Sequence, residues 1–102
     1  MKAYEALYVL DTELDDESRQ KLIDRFKGIV ESEGQPVTID EWGRRRLAYP
    51  IDKKNEGYYV LMNFNSDDNV QKELERVFKI TEGVMRYMVV NKVVNKVADK
   101  DK

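Results

Sequence analysis

Gly57-Tyr58-Tyr59-Val60-Leu61-Met62-Asn63-Phe64 is the most strand-prone run in the chain, dense in aromatic and branched side chains. Just before it, Pro50 to Gly57 (Pro-Ile-Asp-Lys-Lys-Asn-Glu-Gly) is turn chemistry. Earlier still lies a β-like segment, Val37 to Trp42 and Arg44 to Tyr49, broken by Gly43. The two β segments predict a hairpin with a mobile basic loop, and a glycine inside a strand pattern predicts a bulge or a close backbone approach. After the run, Ser66 is the expected N-cap of a helix over 67–80, where Val70, Leu74, Val77 and Phe78 share one face before Gly83. Val84 to Val90 is a further strand. At the N-terminal end, Tyr4, Ala6, Tyr8 and Leu10 alternate along a strand over 3–10. Asp15 then caps a helix over 15–33, with carboxylates in the first turn, Leu22, Ile23, Phe26, Ile29 and Val30 on its apolar face, and Gly34 as the stop.

The order is therefore β-α-β-β-α-β, two similar halves, which is the pattern of an α+β ferredoxin-like plait: a four-stranded antiparallel sheet with two helices on one face. A length of 102 residues suits one domain, placed at 1–92. The last ten residues, Val93 to Lys102, mix Val with Lys and Asp without a period and are expected to form a flexible tail.

Composition removes whole classes of function. The chain has no Cys and no His, so disulfide frameworks, thiolate nucleophiles, imidazole bases and Cys- or His-based metal sites are excluded. No apolar stretch approaches the ~20 residues of a spanning helix, and Glu5 interrupts any signal-peptide pattern, so a cytoplasmic protein is expected. A net charge of -2 conceals an uneven distribution: residues 1–34 carry five basic and nine acidic side chains, whereas 35–65 carry five and four, and 84–102 five and two. Positive charge is thus gathered in two segments.

In a plait the helices cover one sheet face, so side chains that alternate away from them report what the bare face meets. With Tyr8, Val60, Met62, Phe64, Met85, Tyr87 and Val89 inward, the opposite register exposes Glu5, Leu7, Val9, Tyr59, Leu61, Asn63, Arg86, Met88 and Val90. Leu7, Val9, Tyr59, Leu61, Met88 and Val90 make that face too apolar for water alone and mark it as a partner-protein interface, a self-association surface or a platform for bases. The run from Gly57 to Phe64 is similar to the aromatic third-strand motif of RNA-recognition domains, but Val60 stands where the second stacking ring belongs.

Arg44-Arg45-Arg46 is the sharper signal for phosphate, because guanidinium groups bind phosphate oxygens bidentately and a strand sends Arg44 and Arg46 to one side together. With Lys53 and Lys54 in the loop, and Lys2 and Arg86 on other strands, enough cations are available to neutralise several RNA phosphates. Cross-strand pairing with Asp40, Glu41 or Glu56 is the competing use of those arginines. Asp15-Asp16-Glu17 read as dipole-stabilising residues of a helix start rather than metal ligands, and no cofactor is expected.

Gly43-Arg44-Arg45-Arg46-Leu47-Ala48-Tyr49-Pro50-Ile51 resembles the signature of bacterial ribosomal protein six of the small subunit. Tyr4-Glu5, the turn closing at Gly57-Tyr58 and the strand Val84 to Val90 fall where that family has equivalents, so the resemblance covers about residues 1–92. It implies the plait, no enzymatic activity, and assembly onto the central domain of 16S ribosomal RNA as a heterodimer with ribosomal protein eighteen of the small subunit. It also implies that Arg45 and Arg46 occupy the family's paired basic positions and Arg86 its basic fourth-strand position. Base-specific readout is not implied, and the free protein is expected to be monomeric. Two other readings use the same fold. A homodimeric ligand-sensing or scaffold domain would turn the bare sheet onto its own copy. A small acyl-phosphate hydrolase needs a phosphate-cradling loop after the first strand, where this chain has the acidic Asp11-Thr-Glu-Leu-Asp-Asp-Glu17, which repels phosphate.

Overall fold

The computed structural model describes residues 2–32, 36–51 and 53–92, so Gly34 and the expected tail lie outside the described residues. The elements follow the β-α-β-β-α-β order: β1 (Lys2–Leu10), α1 (Asp16–Glu31), β2 (Val37–Ile51), β3 (Lys54–Ser66), α2 (Asp68–Ile80) and β4 (Val84–Asn91). The strands form one antiparallel sheet in the order β2-β3-β1-β4. The Gly57–Phe64 run therefore forms an inner strand, hydrogen-bonded on both sides, which suits its β-rich composition.

Carboxylates start both helices. Asp15 accepts from the Ser18 N–H at 2.7 Å, satisfying one of the donors a helix start leaves free. α2 is capped by Asp67 and not by Ser66: the Asp67 carboxylate accepts from the N–H groups of both Asn69 and Val70. Ser66 instead ends β3 opposite Lys2, fully buried.

Tyr4, Ala6, Tyr8 and Leu10 of β1 lie opposite Phe64, Met62, Val60 and Tyr58 of β3, so these side chains share one face of the sheet. Phe26 of α1 and Phe78 of α2 both pack on Tyr8, with ring centroids 5.0 Å away, and on each other at 4.7 Å. Ile23, Val30, Leu74 and Val77 complete the core beneath the two helices. On β4 the inward positions are Val84, Tyr87 and Val89. A register shift at Leu10 pairs it with Val84, which takes the place expected for Met85.

β2 carries the expected bulge. Glu41 lies opposite Val60 and Gly43 opposite Tyr59, leaving Trp42 as the extra residue. Gly43 adopts φ 85°, a left-handed conformation open to glycine at little cost. The loop expected over 50–57 is much shorter, because Ile51 still pairs with Lys54 and Lys53 turns the tip at φ 66°. Pro50 falls where the register shifts between Arg46 and Ile51, a position that tolerates its missing N–H.

The outer halves of β2 and β3 form an arm that curls back over the sheet face opposite the helices. Leu47 is buried on it, and Val9 beneath is only 2% exposed, although it points to the side without helices. Gly57 permits this approach: a Cβ there would run into Val9 Cγ1 and lie 3.4 Å from Leu47 Cδ2. A Gly57→Ala substitution is expected to lift the arm and destabilise the fold by about 1–3 kcal/mol, the range for overpacking a filled site. Chemical denaturation of the purified variant checks this, and unchanged stability would show that the arm is not seated on Val9.

Candidate docking face and basic arm

The side of the sheet away from the helices carries three cross-strand rows. Leu7 lies between Leu61 and Met88, Val9 between Tyr59 and Arg86, and Glu5 between Asn63 and Val90. The alternation thus brings together all six residues expected at a partner interface, and five of them remain accessible to some degree. Met88 is the most open at 55% exposed, while Val9 lies beneath the arm. Leu7, Val9, Tyr59, Arg86 and Met88 line a depression of about 390 Å³. At the other end the face turns polar, where Lys92 donates to Asn63 Oδ1 at 2.9 Å.

Strand alternation divides the arginine run. Arg44 and Arg46 lie opposite Tyr58 and Glu56, on the side continuous with the core face, whereas Arg45 lies opposite Gly57, on the side of the bare sheet. Arg44 Nη1 is 3.8 Å from Glu56 Oε1, a loose pair between exposed groups that leaves the guanidinium accessible. Arg46 is exposed beside a polar depression formed with Thr12, Glu13, Lys54, Asn55 and Glu56. Lys53 is exposed at the arm's tip. Arg45 lies over the Trp42 ring, with Cζ 5.2 Å from its centroid. Arg86 lies over the Tyr49 ring at 4.9 Å and donates to the Tyr49 hydroxyl.

Two of the cations expected to meet RNA form ion pairs within the fold, Lys2 remaining half-exposed in its pair. Lys54 is paired with Asp11 and, at 2.9 Å, with Glu13, tying the tip end of the arm to the β1–α1 connection. Lys2 lies on the helix side of β1, 3.1 Å from Asp68 at the start of α2. The same carboxylate accepts a 2.6 Å hydrogen bond from the Tyr4 hydroxyl, which together with burial pushes the Tyr4 phenol up to about 12. Neither lysine faces the bare sheet or extends from the arm. Sequence spacing did not expose this, because the acids that hold them lie far away in the chain.

Trp42 and Tyr49 are the residues that the reading by alternation missed. As the bulge residue, Trp42 escapes simple parity; it stacks on Tyr59 with the ring planes 10° apart, and its indole N–H donates to Asp40 Oδ2 at 3.1 Å. A glycine immediately after an aromatic within a strand pattern was the available signal. Among the described residues no three acidic side chains converge to hold a metal ion, and no helix is long and apolar enough to cross a membrane.

A plait with one bare apolar face, bordered by guanidinium groups stacked on aromatic rings, defines a small docking module for macromolecules. The family model described as Ribosomal protein S6 matches residues 3–91. Small ribosomal subunit protein bS6 of Thermoanaerobacter pseudethanolicus is 58% identical over 91 residues, covering 88% of this chain and 96% of that protein. The bS6 of Clostridium novyi is 56% identical over 92 residues, covering 89% and 97%. The crystal structure of 30S ribosomal protein S6 from Thermotoga maritima superposes with a TM-score of 0.83 at 26% identity, covering 99% of this chain and 98% of that one. The chain belongs to the ribosomal protein S6 family: it is a structural, non-enzymatic constituent of the small ribosomal subunit.

The ion pairs carry a pH dependence. Burial works against ionisation of Asp11, but the Lys54 hydrogen bond, the Glu13 N–H and the Lys54 charge outweigh it and hold the carboxyl below its usual range. Asp68 is held down by the Tyr4 hydrogen bond and then by Lys2. A carboxylate with a depressed folded-state pKa contributes stability above its ordinary value and loses it as pH falls through the folded one. The melting temperature is therefore expected to fall below about pH 4, and Asp11→Asn should flatten that acid limb while lowering the melting temperature at neutral pH. An unaltered acid limb in the variant would remove the Asp11–Lys54 pair from the account.

Proposed function

We propose that this chain joins the central domain of 16S ribosomal RNA together with ribosomal protein eighteen of the small subunit, meeting the protein with its bare sheet face and the RNA backbone with its arm. The observation that carries this reading is the segregation of the two surfaces. Leu7, Tyr59, Leu61, Met88 and Val90 share the face that neither α1 nor α2 covers, whereas Arg44, Arg46 and Lys53 stand exposed on the arm. Phosphate recognition favours such projecting cations, and desolvating an apolar sheet favours a protein. Arg45 and Arg86 lie on the border between the two surfaces.

The net charge of -2 supports a composite mode, because an overall acidic protein gains little from the RNA field alone and more beside a basic partner. The arm offers guanidinium and ammonium groups suited to backbone contacts rather than base readout. The folded unit corresponds to residues 1–92.

Titration of the purified chain, alone and with ribosomal protein eighteen, into a labelled central-domain fragment across a salt series tests this. Binding is expected only with the partner present, and Arg46→Ala with Lys53→Ala should flatten the salt slope by about 0.7–0.9 for each phosphate no longer neutralised. No binding in either mixture, with a stable dimer of the chain in sedimentation, would replace this reading by the homodimeric scaffold.

A further inference from the structure

The arginine run enters two different surfaces, and the middle residue is set apart by its surroundings. Arg45 lies over the indole of Trp42, which is itself held from two directions: its N–H donates to Asp40, and its ring stacks on Tyr59. The bulge and the left-handed Gly43 place this indole on the bare sheet, against Tyr59 in the row that it forms with Val9 and Arg86. Trp42 stays 38% exposed despite its neighbours.

We infer that Asp40, Trp42, Tyr59 and Arg45 form the energetic centre of the protein-docking face, and that Arg45 binds a carboxylate of the protein partner while Arg44 and Arg46 serve the RNA. This rests on the reading that the bare sheet docks ribosomal protein eighteen. Charge complementarity defines the partner's chemistry: Arg86 lines the apolar depression floored by Leu7, Val9 and Tyr59, and Arg45 stands over the Trp42 ring that stacks on that same Tyr59. The complementary surface is an apolar side chain flanked by acidic groups. A guanidinium stacked on a fixed ring has given up part of its rotamer freedom before binding, so ordering it at an interface costs less. Trp, Tyr and Arg beside apolar residues are also the types in which interface energy concentrates. RNA fits the site less well. A backbone phosphate gains nothing from a Leu, Val and Met floor, and the Trp42 ring that would receive a base already packs on Tyr59 and Arg45.

The test measures two quantities for each full-length variant: affinity for ribosomal protein eighteen without RNA, and the salt slope of RNA binding by the assembled pair. Arg45→Ala and Trp42→Ala are expected to weaken the partner complex about thirtyfold or more, the hot-spot range, with the salt slope unchanged. Arg46→Ala should leave partner affinity unchanged and reduce the slope. Thermal melting shows that each variant is folded, and Trp42→Phe, which keeps a ring beneath Arg45, should restore most of the affinity. If Arg45→Ala leaves partner affinity intact but lowers the salt slope, Arg45 belongs to the RNA surface and the inference falls. If Arg45→Ala moves neither quantity, the stack is only a structural feature of the sheet and the inference falls as well. If the unsubstituted chain does not bind ribosomal protein eighteen at all, the proposed function itself fails, an outcome separate from the other two.

Discussion

Three rings decide how this molecule is divided. Tyr8 at the centre of the sheet, Phe26 of α1 and Phe78 of α2 pack mutually within 5.0 Å between centroids, fixing both helices to the same side. Aromatic groups bury large areas and prefer edge-on or tilted contacts, so one such cluster can orient two helices at once. Placing both helices on one side leaves the opposite face clear of α1 and α2. Strand alternation obliges every second residue of β1, β3 and β4 to stand there, and in this chain many of those residues are apolar. The apolar face proposed for docking is thus the reverse side of the core.

Local irregularities decide what borders that face. One extra residue in β2 turns Trp42 onto the bare sheet and brings Arg45 over it, and the left-handed Gly43 makes the turn possible. A missing side chain at Gly57 lets the arm settle over Val9. Tyr49, far out on the arm, thereby reaches Arg86 on β4, at the opposite edge of the sheet. Lys54, beside the tip, ties the arm back to the β1–α1 connection through Asp11 and Glu13. These interactions turn an otherwise isolated hairpin into part of the surface beside the docking face.

Membership of the ribosomal protein S6 family agrees with a protein whose chemistry is entirely that of contact. Without His or Cys the chain has no imidazole and no thiol, and many of its carboxylate, ammonium and guanidinium groups are engaged in ion pairs. The two-residue period of the strand sends Arg44 and Arg46 to one side of the arm and Arg45, equally exposed, to the other, where it lies over the Trp42 ring.

Element order, the capped start of α1, the bulge near Gly43 and the identity of the bare face were all legible in the chain, because they follow from local periodicity and from residues a few positions apart. The shift of the α2 cap from Ser66 to Asp67 and of the inward position from Met85 to Val84 each moved by one residue, the scale at which competing hydrogen bonds and register shifts decide. The covering of Val9 and the ion pairs of Lys2 and Lys54 were not legible. They depend on groups from different strands, helices and connections meeting in space: Leu47 and Gly57 over Val9, Asp68 beside Lys2, Asp11 and Glu13 around Lys54. Sequence alone determined which side chains alternate to which side and where positive charge is concentrated. Only the tertiary structure decided which of those charges remain accessible, because neutralisation by a distant partner is a property of folded geometry and not of spacing along the chain.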